Sequence, residues 1–104
     1  MNVYVVNHTE QDLSAANKFG KLVYLTEGVQ NVFHIENMLS TMKEKLVDAE
    51  DGDYLLLCGS PILNIIASLV FITHAGKLNV LIFNAKTRAY TPRTLTEHQI
   101  TGGL

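Results

Sequence analysis

The sequence predicts an α/β fold: a single small three-layer domain with a mostly parallel, Rossmann-like sheet in the order β-α-β-α-β-α-β-β. Three observations carry this expectation. Short apolar runs alternate with helical patterns along most of the chain. The runs Val3-Tyr4-Val5-Val6 and Tyr54-Leu55-Leu56-Leu57 are apolar without alternation, as in strands covered on both faces. Asp53 to Gly76 spells a strand, a sharp turn and a punctuated helix. There Ser60 suits the N-cap, Pro61 the first helical position and Gly76 the stop.

The elements follow in order. Met1 to Asn7 is the first strand, and His8 to Asp12 a polar loop. Asp12 caps a short helix through Lys18, with Ala15, Ala16 and Phe19 inward and Gly20 at its end. Lys21 to Thr26 is the second strand, broken by Glu27-Gly28. Asn31 opens the second helix, whose apolar stripe is Val32, Ile35, Leu39, Met42 and Leu46. Asp48 to Asp53 is an acidic turn. The third strand is Tyr54 to Cys58 and the third helix Pro61 to Ala75. Lys77 to Phe83 is the fourth strand, Asn84 to Arg88 a hairpin turn, and Ala89 to Leu95 the fifth strand, which Pro92 confines to an edge. Residues 1–95 form the domain; Thr96 to Leu104 is expected to be a flexible polar tail.

The third helix is apolar nearly all round, and a sheet covers only one side of a helix. Charged residues make up 17% of the 104-residue chain, against about 25% in an ordinary domain. Both facts point to a homo-oligomer, most simply a dimer, meeting through Ile62, Ile66, Leu69 and Val70. Asn64 and Ser68, four residues apart, are placed to hydrogen-bond across that contact.

Net charge is −2, and Arg88 and Arg93 are the only arginines, which argues against duplex nucleic acid. A lone cysteine, Cys58, excludes an internal disulfide and fits a reducing cytoplasm. The N-terminus shows no signal-peptide pattern. The uncharged stretch Tyr54 to Gly76 mimics a membrane span. Pro61 breaks it, and the remaining helix of about 22 Å is short for a ~30 Å hydrocarbon core. No membrane contact, cofactor or metal is expected; no Cys/His spacing suits a metal.

One ligand site is indicated. Loops that leave the carboxyl ends of parallel strands open on the same edge of the sheet. Gly59 lets a backbone approach closely, Ser60 offers a hydroxyl, and the first-turn amides attract negative charge. Asn7, His8, Thr9 and Asp12 form the facing loop if the first and third strands are neighbours, and Thr26 closes the same edge after the second strand. His8 is the one candidate acid or base, with Asp12 to orient it. The same residues also serve plain structure: Ser60 and Asp12 as caps, His8 in solvent, Thr26 in a turn. The signal lacks the Gly-Lys-Ser/Thr of a phosphate loop and the glycines of a dinucleotide fingerprint. Cys58 reads as a small buried residue. Tyr4, Tyr24, Tyr54 and Tyr90 read as packing residues or a base-stacking face.

The chain also resembles small, mostly uncharacterised α/β proteins encoded by bacteriophages. The resemblance lies in the Asn7-His8-Thr9 loop, in Asp12 followed by Phe19-Gly20, in Leu25-Thr26-Glu27-Gly28, in Asp53-Tyr54-Leu55-Leu56 and in Gly76-Lys77-Leu78-Asn79-Val80-Leu81. It implies action in an infected bacterial cytoplasm and supplies no reaction.

The function expected is binding of a small anionic ligand, such as a nucleotide, at the carboxyl edge of the sheet. Catalysis is not assigned; phosphodiester cleavage with His8 as acid or base would be its first form. The rival is a protein-interaction module acting through the third helix and the edge strand near Pro92. A third reading, single-strand nucleic-acid binding by tyrosines with Lys77, Lys86, Arg88 and Arg93, runs against the net charge.

Overall fold

The direction in which the chain steps along its sheet decides which face each helix covers. The computed structural model describes residues 1–102. Five strands, β1 (Asn2–Val5), β2 (Lys21–Tyr24), β3 (Tyr54–Leu56), β4 (Leu78–Asn84) and β5 (Ala89–Leu95), lie in the order β2-β1-β3-β4-β5. The first four are parallel and β5 runs antiparallel to β4. From β1 the chain steps one way to β2; from β2 it returns past β1 to β3 and on to β4. Right-handed crossovers then place the first connection on one face and the next two on the other.

The packing obeys that rule. A 3-10 helix, Ser14–Phe19, covers Val3, Val5, Leu56 and Leu81 on one face. Helices α1 (Ile35–Lys45) and α2 (Pro61–Ala75) cover Tyr4, Val6 and Leu55 on the other. β1 alternates between the two cores and is buried on both sides, as its unbroken apolar run requires. Phe71 of α2 is fully buried edge-on against Tyr4, with ring centroids 6.2 Å apart. Truncating it to Ala would cost about 3–5 kcal/mol.

α2 has the predicted bounds. Ser60 is its N-cap in extended backbone, Pro61 opens it, and Gly76 ends it at φ 83°. Strand β5 also has its predicted bounds and lies at the sheet edge, where Pro92 is tolerated. Asn84 holds the hairpin turn by accepting from the Lys86 amide at 2.9 Å.

Two expectations need correction. The second helix begins at Ile35, not Asn31, because Asn31 instead closes a turn, its side chain accepting from the Phe33 amide at 3.1 Å. Met38, Met42 and Leu46 then face the core, while Leu39, about 100° round from Met38, and Ile35, the first residue of the helix, are exposed. The proposed oligomer contact is also partly consumed within the chain. Ile66 and Val70 share a core with Met38 and Met42, and Ile62 packs against it, because α1 covers that side of α2. Only Leu69 of the four points outward, and Asn64 is engaged by the turn before α2.

At the amino edge of the sheet, Asp53 accepts from the Asn2 amide at 2.8 Å and the Glu50 amide at 2.9 Å. Asn79 bonds the carbonyls of Asp51 and Asp53 and accepts from Thr94. The acidic turn is therefore a clasp joining β1, β3, β4 and β5. Within the segment read as a polar tail, Glu97–Thr101 forms a short helix, α3, with a Thr96/Gln99 capping box; Gly103 and Leu104 lie outside the described residues. Among the described residues no helix is long and apolar enough to cross a membrane.

Candidate functional site

β1 and β3 are hydrogen-bonded neighbours whose outgoing connections leave on opposite faces. The carboxyl ends of such a pair form the crevice where open parallel sheets take ligands. The pairing of β1 with β3 meets the condition under which the loops after them face each other.

The ladder parts in a definite way. On the β2 side it continues past the strand ends: the His8 amide donates to Thr26 at 2.8 Å and the Gly28 amide to His8 at 2.9 Å. On the β3 side the last backbone bond is Val6 to Leu56, at 3.1 Å. Beyond it the Cys58 thiol replaces a strand partner, donating to the Asn7 carbonyl at 3.1 Å and lying 3.5 Å from the Asn7 amide. Burial pushes the Cys58 thiol up from its ordinary value, against the opposing pull of the Asn7 and Val6 amides. Burial thus favours the thiol form of Cys58, which serves here as a hydrogen-bonding partner for the Asn7 backbone.

Asn7 is the hub of this edge. It is buried, and its side-chain Nδ2 donates to the Gly28 carbonyl at 3.0 Å. Its side-chain oxygen shares the Thr26 hydroxyl proton with the Val6 carbonyl, at 2.9 and 2.7 Å. Gly59, at φ 85°, passes so close that a Cβ there would lie 3.0 Å from the Asn7 Cβ. The turn is pinned from behind by Asn64, which accepts from the Cys58 amide at 3.0 Å and donates to the Ser60 carbonyl at 3.0 Å. Ser60 accepts from the Leu63 amide at 3.4 Å, a long and weak cap bond.

A groove of about 570 Å³ opens on this edge. It is lined by Asn7, Thr9 and Glu10 from the loop after β1, by Gly28 to Gln30 and Val32 from the connection after β2, and by Ser60 and Leu63 at the start of α2. Of the predicted site residues, Asn7, Thr9 and Ser60 line it. Thr26 is buried behind Asn7, and Gly59 backs the turn without reaching the groove. His8 turns away and stacks on Tyr24, with ring centroids 4.1 Å apart. Asp12 does not orient it: its carboxylate accepts from the Ser14 amide at 3.0 Å, a bond that holds the carboxyl below the usual range and starts the 3-10 helix. Glu10, Val29, Gln30, Val32 and Leu63 were not anticipated. For most of them the signal was available, since Glu10 follows Thr9 in the loop after β1 and Val29, Gln30 and Val32 belong to the connection after β2, which opens on the same edge.

The four tyrosines are packing residues. Tyr4 meets Phe71, Tyr24 meets His8, Tyr54 meets Phe19 and Tyr90 meets Phe83.

No curated protein and no solved structure matches the chain. A model of the phage Pam3 gp32-like proteins matches residues 1–97, spanning the sheet, both long helices and the groove. That agrees with the likeness to small phage-encoded α/β proteins, and on it the chain belongs to the phage Pam3 gp32-like protein family.

Proposed function

We propose that this phage protein binds a small ligand with one anionic group, a nucleoside monophosphate in the simplest case, and does so in the bacterial cytoplasm. The observation that carries this reading is the groove at the switch between β1 and β3, with Ser60 and Leu63 at the start of α2 in its lining. Val29, Val32 and Leu63 offer an apolar seat for a flat body, while Asn7, Thr9 and Ser60 offer hydrogen bonds. The lining holds Glu10 and neither Lys nor Arg, which favours a single phosphate-type group over a polyphosphate. No reaction is assigned, because His8, the acid–base candidate, faces Tyr24.

The test is a thermal-shift screen with nucleosides, nucleoside mono- and triphosphates, cyclic nucleotides and phosphate. A ligand at 100 times its Kd adds about 2.7 kcal/mol, a shift of several degrees in a domain of this size. Ser60→Val should abolish the shift and His8→Ala should keep it. A flat response across the panel overturns the reading. It would favour the alternative, an interaction module without a small ligand, for which outward Ile65 and Leu69 of α2 and the open edge of β5 speak.

A further inference from the structure

Away from the groove, the outer side of α1 and α2 is apolar and uncovered. Ile35 and Leu39 of α1 are 49% and 40% exposed, and Ile65 and Leu69 of α2 are 55% and 63% exposed. Leu39 and Lys43 share one shallow trough with Leu69 and Thr73, so the two helices present a continuous surface. The charges of α1 are arranged about it. Glu36 lies in the first turn and Lys43 in the last, at equal distances from the midpoint between Leu39 and Ser40. All four residues line one depression.

We infer that this face docks a second copy of the chain, with the two α1 helices antiparallel about a twofold axis at Leu39–Ser40. A twofold contact must be complementary to itself. Here the operation exchanges the acidic and basic ends of the helix. Glu36 meets Lys43 of the partner subunit, and the same pair forms again on the other side of the axis. Antiparallel helices also set their macrodipoles in opposition. Leu39, Ile65 and Leu69 supply the apolar centre that these pairs flank. An unrelated partner would have to match the same charge order; a copy matches it by symmetry. The contact uses residues that the chain leaves outside, unlike Ile66 and Val70.

Sedimentation equilibrium of the full chain, without ligand, should give twice the 11.5 kDa chain mass. Leu69→Glu, at an exposed position, should leave the far-UV spectrum unchanged and return a monomer. Glu36→Lys and Lys43→Glu should each weaken association about tenfold at low salt. Mixing those two variants should restore a mixed dimer, since one chain brings two lysines and the other two glutamates. The double variant E36K/K43E should dimerise again by itself. A wild-type chain that stays monomeric at high micromolar concentration overturns the inference and leaves the face to a different protein. So does a dimer indifferent to Leu69→Glu and to both charge reversals. Because the measurement needs no nucleotide, its outcome is independent of the groove.

Discussion

The Thr26 hydroxyl lies 2.9 Å from the side-chain oxygen of Asn7, and both residues are buried. This contact joins the loop after β2 to the loop after β1 and turns the Asn7 amide toward Gly28. The wall of the groove is thus set by a buried polar pair, of which Asn7 also lines the groove. Asn7→Ala removes partners from Thr26 and Gly28 together. It should lower stability by about 1–3 kcal/mol, read from urea unfolding, and hasten amide exchange at Gly28.

Gly59 and Gly76 have nearly the same positive φ, 85° and 83°, yet of the two only Gly59 is crowded. Gly76→Ala should cost about 1–2 kcal/mol, the strain of a left-handed alanine. Gly59→Ala should cost about 2–4 kcal/mol, because its Cβ must also displace Asn7. Equal losses in matched denaturation curves would contradict the close approach of the two loops.

The raised Cys58 thiol makes a pH prediction of definite sign. Its neutral form is favoured by folding, so its contribution is complete below the unfolded thiol value of about 8.5 and is lost as pH rises through the folded value. Wild type minus Cys58→Ala should therefore show a stability difference that is flat from neutral pH to about 8 and declines above it. Alkylation of the native protein by iodoacetamide should be slow at neutral pH and accelerate only in alkali.

The long cap bond from Ser60 to Leu63 predicts a mild fold effect. Ser60→Ala should cost about 0.5–1 kcal/mol, the lower half of the usual range for a lost N-cap. Any larger loss in ligand affinity would then report a direct contact in the groove.

What could be read in advance followed the reach of the interactions. α2 was legible to the residue because Ser60, Pro61 and Gly76 mark its ends through bonds that span at most four residues. That the loops after β1 and β3 share one edge followed from a parallel sheet, while their facing each other needed the adjacency of β1 and β3 that the fold supplies. The start of α1 was not legible, since Asn31 looks the same whether it caps a helix or closes a turn. Its inward face depended on where α2 came to lie, and that choice exposed Leu39 and buried Met38. The role of Asn7 was hidden because its partners stand 19 and 21 residues away. His8 was assigned to the groove by its neighbours in sequence, whereas Tyr24 took its ring to another side.

The position of β1 between β2 and β3 has a consequence for synthesis. Val3 to Val6 cannot acquire their β3 neighbours until Tyr54–Leu56 have been made. At about 5–20 residues per second, plus passage through the ribosomal exit, that is a wait of roughly 3–10 seconds. Throughout it a sticky apolar segment hangs from the nascent chain with one short partner, β2. During rapid phage expression this interval is when chaperones have their strongest claim on the polypeptide, and when crowded copies are most prone to clump.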